Sequence, residues 1–146
     1  MKGLNGGSTP IVRSDLVYDY VARKYPDLLP KFEEGLKYTK RVPEVCDASS
    51  PIGNSWKSMF KVETRQQAEE AMKKINCTYE WIQIEDGSYD CKITTPLMQG
   101  IKVATNGRKS FFNQVIAAYK GYVDKRNAIG KAITFKDGTY IPHDFI

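Results

Sequence analysis

Histidine is almost missing from this chain: His143 is the only one in 146 residues. That scarcity removes several chemistries. A zinc or non-haem iron site usually needs two histidines. A Cys-His nucleophile pair would need His143 beside Cys46, Cys77 or Cys91, and nothing local supports it. No G-x-S-x-G elbow occurs for a Ser-His-Asp hydrolase. His143 and Asp144 are adjacent, so on a strand they would point to opposite faces, and His143 reads as a surface or loop residue. The three cysteines are far apart, odd in number and without C-x-x-C spacing. They form neither a disulfide framework nor a zinc ribbon. Neither G-x-x-x-x-G-K-[ST] nor G-x-G-x-x-G is present, so no phosphate loop of those types exists. No apolar run is long enough to span a bilayer, and no apolar stretch follows Met1-Lys2 as a signal peptide would. The expected compartment is the cytosol or an organelle interior, with no membrane partner.

What is present suits a single domain over residues 1–146. The hydrophobic fraction, 41%, is enough to build a core. The net charge of +5 permits attraction to anions. The basic residues are scattered among acids, however, and the densest cluster, Lys120 to Lys136, is broken by Asp124. That pattern reads as a solvated face and argues against a nucleic-acid footprint.

The spacing predicts a first helix opening at Ser14 as N-cap, with Leu16, Val17, Tyr20 and Val21 on its apolar side. Tyr25-Pro26 ends it. Asp27 is expected to cap a second short helix that ends near Gly35. Leu36 to Val42 alternates and reads as a strand. Pro43 to Asn54 is rich in turn formers and reads as a loop, and long loops are often functional. Ser55 to Phe60 makes a helical turn or two. Thr64-Arg65-Gln66-Gln67 is a capping box, followed by a stripe of Ala68, Ala71, Met72 and Ile75. Glu69 and Glu70 stand four residues before Lys73 and Lys74, a surface ion-pair spacing. A hairpin turns at Glu85-Asp86-Gly87, with its second strand running to Thr95. A strand is expected over Leu97 to Val103, then a turn at Thr105-Asn106-Gly107-Arg108, and extended chain from Lys109 to Phe112. Asn113 opens a helix to Tyr119, and Lys136-Asp137-Gly138 is another turn. The strands and helices do not alternate regularly, so a doubly wound parallel sheet is excluded. The fold class is α+β or mainly β, either an α+β domain or part of an antiparallel barrel with helical insertions.

One segment carries chemistry beyond a turn. Gly6-Gly7 lets the backbone approach a ligand closely, Ser8 and Thr9 offer hydroxyl donors, and Pro10 sends the chain extended into Ile11. Further segments follow in order: Ser49-Ser50-Pro51-Ile52-Gly53, Trp56-Lys57-Ser58 with Phe60, Phe112-Asn113 with Ala117-Ala118-Tyr119, Asp124-Lys125-Arg126-Asn127, and Thr134-Phe135-Lys136-Asp137-Gly138 with Ile141-Pro142. Together they resemble the taurine dioxygenase and clavaminate synthase-like family of Fe(II)/2-oxoglutarate-dependent oxygenases, nearest to its plant-type members.

The resemblance implies a double-stranded β-helix, or jelly roll, and oxidation of a small-molecule substrate with Fe(II) and 2-oxoglutarate as cofactors. It also implies that this chain is the middle of the domain. The His-x-Asp/Glu motif, the last histidine and the cosubstrate arginine of the family fall outside it, so neither catalytic nor metal residues are expected within. His143 falls at a non-ligand position. One role carries over: Thr9 matches the threonine that donates to the 2-oxoglutarate carboxylate, although Ser8 stands where the family often has an acid. Trp56, Phe112 and Asn113 match positions beside the substrate pocket. Core packing is the competing reading for the two aromatics, and an N-cap for Asn113. The alternatives are a catalytically inactive remnant that binds a partner and a basic nucleic-acid-binding module. As a partial barrel, the chain is expected to bind Fe(II) weakly and to self-associate through open sheet edges.

Overall fold

A computed structural model describes residues 13–46, 53–112 and 123–145 together with Val115, Ala118 and Tyr119. Ten elements are found among them. The helices are α1 (Ser14–Lys24), α2 (Leu29–Glu34), α3 (Trp56–Phe60) and α4 (Arg65–Lys74). The strands are β1 (Leu36–Val42), β2 (Thr78–Gln83), β3 (Tyr89–Thr94), β4 (Ile101–Val103), β5 (Lys109–Phe111) and β6 (Ile133–Phe135). Four strands form an antiparallel sheet in the order β2-β3-β1-β6, and β4 pairs with β5 in a separate ribbon. Mixed helix and antiparallel sheet is the α+β arrangement expected from the sequence.

β1 crosses both halves of the interior. Leu36 at one end is fully buried in a cluster with Val21, Phe32, Ile133, Phe135 and Phe145. The centre of that cluster is Phe32, whose ring meets Phe111 and Phe135 edge-on at 5.1 and 5.0 Å. Val42 at the other end is fully buried in a second cluster with Trp56, Ala68, Met72, Cys91 and Ile93. Seven residues of extended chain thus anchor two cores, and burying such apolar surface is what holds the domain together.

The hairpin of β2 and β3 forms where Asp-Gly predicts it. Gly87 takes a positive φ of 84° and Ser88 donates its N–H to Asp86 Oδ1. The capping box of α4 is also as predicted: Gln67 N–H donates to Thr64 Oγ1, and Thr64 N–H donates to Gln67 Oε1.

Several expectations change. Ser14 lies inside α1, whose N-cap is Arg13, and its hydroxyl donates to the Phe111 carbonyl at 2.7 Å. A tertiary acceptor wins over the local cap. Only Val21 of the expected stripe is buried and Val17 partly so, while Leu16 and Tyr20 are exposed. α1 lies along β5, where Arg108 pairs with Asp15 and Asp19, so a narrow i,i+4 seam suffices. α2 starts at Leu29 with Pro30 in its first turn, not at an Asp27 cap. The strand expected over Leu97 to Val103 is confined to Ile101–Val103, with Met98 making only an isolated bridge to Leu36. The reason is close approach: a Cβ on Gly100 would meet the Phe32 carbonyl oxygen at 2.7 Å, so the chain is pressed onto α2 and cannot run on as a strand. Glu69 pairs with no lysine of its own helix. It accepts from Trp81 Nε1 at 2.8 Å.

The cysteines sit in three environments. Cys91 is fully buried, and burial pushes its thiol up to about 12; Cys46 is exposed. Because the thiolate is the reactive form, Cys46 should react with a maleimide or a disulfide reagent in the native protein, and Cys91 only after denaturation. Mass-spectrometric mapping of labelled cysteines before and after urea treatment checks this. Labelling of Cys91 at the native rate of Cys46 would contradict the packing.

Candidate functional site

The Trp56-Lys57-Ser58 segment is a wedge between the loop after β1 and the β2–β3 hairpin. Ser55 and Ser58 cap α3 reciprocally: Ser58 N–H donates to Ser55 Oγ, and Ser55 N–H donates to Ser58 Oγ. Trp56 N–H donates to the Pro43 carbonyl at 2.9 Å, which ties the helix start to the end of β1. The indole is 1% exposed, packs edge-on against Trp81 at 5.2 Å and donates Nε1 to the Tyr89 carbonyl at 2.8 Å. Lys57 pairs with Glu44 at 3.0 Å, and Glu44 also accepts from Tyr89 N–H. The Lys57 ammonium, followed by that N–H, holds the Glu44 carboxyl below the usual carboxylate range. The contacts of Trp56, Lys57 and Glu44 pin the loop, the helix and the hairpin to one another.

Phe112 lies elsewhere. It follows β5, is 53% exposed, donates its N–H to the Gly100 carbonyl and carries Lys102 Nζ 3.6 Å from its ring centroid. Trp56 and Phe112 therefore do not share a cluster. Thr9 and Asn113 lie outside the described residues, as do Gly6 to Ile11 and Ser49 to Ile52. His143 is exposed in a turn near the C-terminal end.

A second assembly of charged groups was not singled out from sequence. Asp90, on β3, is 2% exposed, and its Oδ2 accepts from two guanidiniums: Arg41 Nε at 2.7 Å and Arg126 Nε at 3.0 Å. Arg41 comes from β1, opposite Lys92 in the β1–β3 register, and so stands beside Asp90. Arg126 comes from the Asp124–Asn127 turn, which is built around one carboxylate oxygen. Asp124 Oδ1 accepts from Arg126 N–H, Asn127 N–H and Asn127 Nδ2. Asn127 then clips the turn onto β1: its Oδ1 accepts from Arg41 N–H at 2.8 Å and its Nδ2 donates to the Arg41 carbonyl at 2.9 Å. β6 pairs only with Leu36 to Tyr38, and Ala132 accepts from Thr39 N–H. The Asn127 amide extends that pairing along β1, as a neighbouring strand would.

Beside this assembly lies a cleft of about 660 Å³ open to solvent, walled by Arg41, Glu44, Asp86, Asp90, Lys125 and Arg126. A smaller cleft of about 400 Å³ shares Glu44, Val45 and Cys46 and reaches α3. Among the described residues no three His, Cys, Asp or Glu side chains come together as metal ligands. The sequence carries one signal for the charged assembly, the Asp124-Lys125-Arg126-Asn127 turn. Its partners Arg41 and Asp90 stand 85 and 36 residues earlier in the chain.

No family model matches the chain. Among curated proteins it is 40% identical over 143 residues to a clavaminate synthase-like protein of Arabidopsis thaliana. The alignment covers 97% of this chain and 42% of that protein, so the chain spans about two-fifths of its relative's length.

Replacing Asn127 with alanine leaves the Arg41 N–H and carbonyl without their partner. Asn127→Ala should lower stability by about 1–3 kcal/mol, read as a lower urea midpoint with an unchanged slope. A midpoint equal to the parent's would mean that water replaces the amide at no cost.

Proposed function

We propose that this chain is part of a clavaminate synthase-like oxygenase, a non-haem enzyme that uses Fe(II) and 2-oxoglutarate to oxidise a small molecule. The observation that carries the reading is the 40% identity to the Arabidopsis thaliana relative, sustained over 97% of this chain. The ordered motif segments support it. So does the mixed architecture, whose antiparallel sheet can be a portion of a jelly roll.

Within that reading the chain's own contribution is binding and scaffolding. Thr9, in its Gly-Gly-Ser-Thr-Pro setting, donates its hydroxyl to a carboxylate oxygen of 2-oxoglutarate, a charge-assisted bond that fixes the cosubstrate's orientation. Phe112 and Asn113 stand beside the substrate. Trp56 supports the pocket from behind, because its indole face and N–H are already committed to Trp81 and Tyr89. The described residues do not fit an iron ligand set, so no step here is routed through the metal. When bound, iron supplies the oxidising chemistry, with ligands from sequence beyond the described residues.

The test begins by reading the transcript through both flanks and expressing its full product. That product should convert 2-oxoglutarate to succinate only with Fe(II) present. Thr9→Ala should raise the 2-oxoglutarate KM about 10–100-fold, as loss of a hydrogen bond to a charged group implies. Thr9→Ser should restore most of the loss. Unchanged KM in Thr9→Ala would remove the assigned role, and no succinate from the full product would remove the oxygenase reading itself.

A further inference from the structure

Three turns of the structure are built alike. In each, an aspartate or asparagine precedes a glycine of positive φ, 78° at Gly107. The glycine N–H donates three residues back, Gly87 to Ile84, Gly107 to Ala104 and Gly138 to Phe135. The side-chain oxygen before the glycine accepts the N–H just after it: Asp86 from Ser88, Asn106 from Arg108 and Asp137 from Thr139. Two of the three carry a carboxylate at that position, so the turn holds an aspartate as readily as an asparagine. The turn between β4 and β5 carries the amide, and Asn106 and Gly107 are both exposed.

That combination can react with itself. The Cγ carbonyl of an asparagine is open to attack by the backbone nitrogen of the next residue, and glycine leaves the approach clear because it has no Cβ. A Cβ built on Gly107 would meet nothing within 4 Å, so no neighbouring group crowds the turn. The Arg108 N–H, 3.1 Å from Asn106 Oδ1, stands where negative charge develops as the nitrogen attacks. Gly107 N–H must first leave the Ala104 carbonyl, 2.9 Å away. An exposed turn opens at little cost.

We propose that Asn106 is a site of spontaneous deamidation that converts a neutral turn to an anionic one and loosens the clasp of α1 on β5. The Gly107 nitrogen forms a bond to Asn106 Cγ, and the side-chain nitrogen leaves as ammonia, taking the Gly107 proton. Water then opens the cyclic imide at one of its two carbonyls. Breaking the new bond leaves an aspartate, which the turn accommodates as it does Asp86 and Asp137. Breaking the original peptide bond leaves an isoaspartate, whose longer main chain cannot keep Val103 in register with Lys109. Either product places a carboxylate two residues from Arg108. That guanidinium holds Asp15 and Asp19 of α1 at 2.9 and 3.3 Å, and the new carboxylate competes for it. The oxygenase reading gives this turn no role, so the proposal stands apart from it.

The experiment stores the purified 146-residue chain in mildly alkaline buffer, native and in urea. Peptide mass spectrometry maps the loss of each asparagine and separates isoaspartate from aspartate. Asn5-Gly6, the other pair of this kind in the sequence, lies outside the described residues and is followed in the same digest. In the native chain Asn106 should be lost, while Asn76 and Asn127, which precede Cys77 and Ala128, should persist. Gly107→Ala should slow the loss roughly tenfold or more. Alanine is strained at that φ, so the same slowing should also hold in urea, where the turn is absent. Asn106→Asp, set beside the neutral Asn106→Ser, should exchange its α1 amides roughly two to five times faster, as loss of an exposed ion pair implies. Asn106 retained in the native chain but lost in urea would overturn the site, because the fold would then protect it. Loss at Asn76 and Asn127 at the same rate would overturn it too. Equal α1 exchange in Asn106→Asp and Asn106→Ser would overturn the loosening of α1.

Discussion

Everything in this fold depends on one strand having both of its edges satisfied. β1 is paired along one side by β3 from Thr39 to Val42. On the other side it is paired by β6 as far as Tyr38, then by Ala132 and the side chain of Asn127. A buried backbone group without a partner costs about as much as a lost hydrogen bond, so a central strand has to be completed on both sides. Completing β1 with a side-chain amide has a consequence for charge. The same turn that supplies Asn127 supplies Arg126, which arrives beside Arg41 and makes burial of Asp90 possible. A carboxylate that is 2% exposed would be very costly alone, and two charge-assisted bonds offset that cost.

The two hydrophobic clusters divide the labour along β1. The Phe32 cluster joins α1, α2, β6 and the C-terminal residues. The Trp56 cluster joins α3, α4 and the hairpin. The polar assembly stands beside the Trp56 cluster, since Arg41 and Asp90 neighbour its members Val42 and Cys91 in the chain. Functional groups built on strands and tight turns are held more firmly than those on long loops. The Trp56-Lys57-Ser58 motif belongs to this framing: its tryptophan and lysine tie the loop after β1 to the hairpin, and the tryptophan also packs against Ala68 and Met72 of α4. A segment that stands out in the sequence can therefore be a scaffold element.

Much of the local structure was legible in the sequence because it is decided within a few residues. β1 runs from Leu36 to Val42 as its alternation predicts. The Asp-Gly turn and the Thr64–Gln67 capping box rest on hydrogen bonds between neighbours three residues apart or fewer. The fold class followed from the order of such elements, and the resemblance reached a relative that aligns along nearly the whole chain. Where sequence reading failed, a distant partner had intervened. Ser14 gave its hydroxyl to Phe111 instead of capping α1, Glu69 took the Trp81 indole instead of a lysine one turn away, and the chain before Ile101 was pressed onto Phe32 at Gly100.

The sequence by itself thus determined the turns, the caps, the strand at the centre and the kinship, since each is written in contiguous residues. Only the tertiary structure decided that Trp56 is core, that Phe112 sits apart from it, and that Arg41, Asp90 and Arg126 meet. Their meeting depends on three separate chain segments docking in register on β1. Neither hydrophobic period nor local propensity records which charged residue will face which across that distance. The pairing is fixed only when burial of the apolar clusters brings the strands together and the buried carboxylate must find its cations.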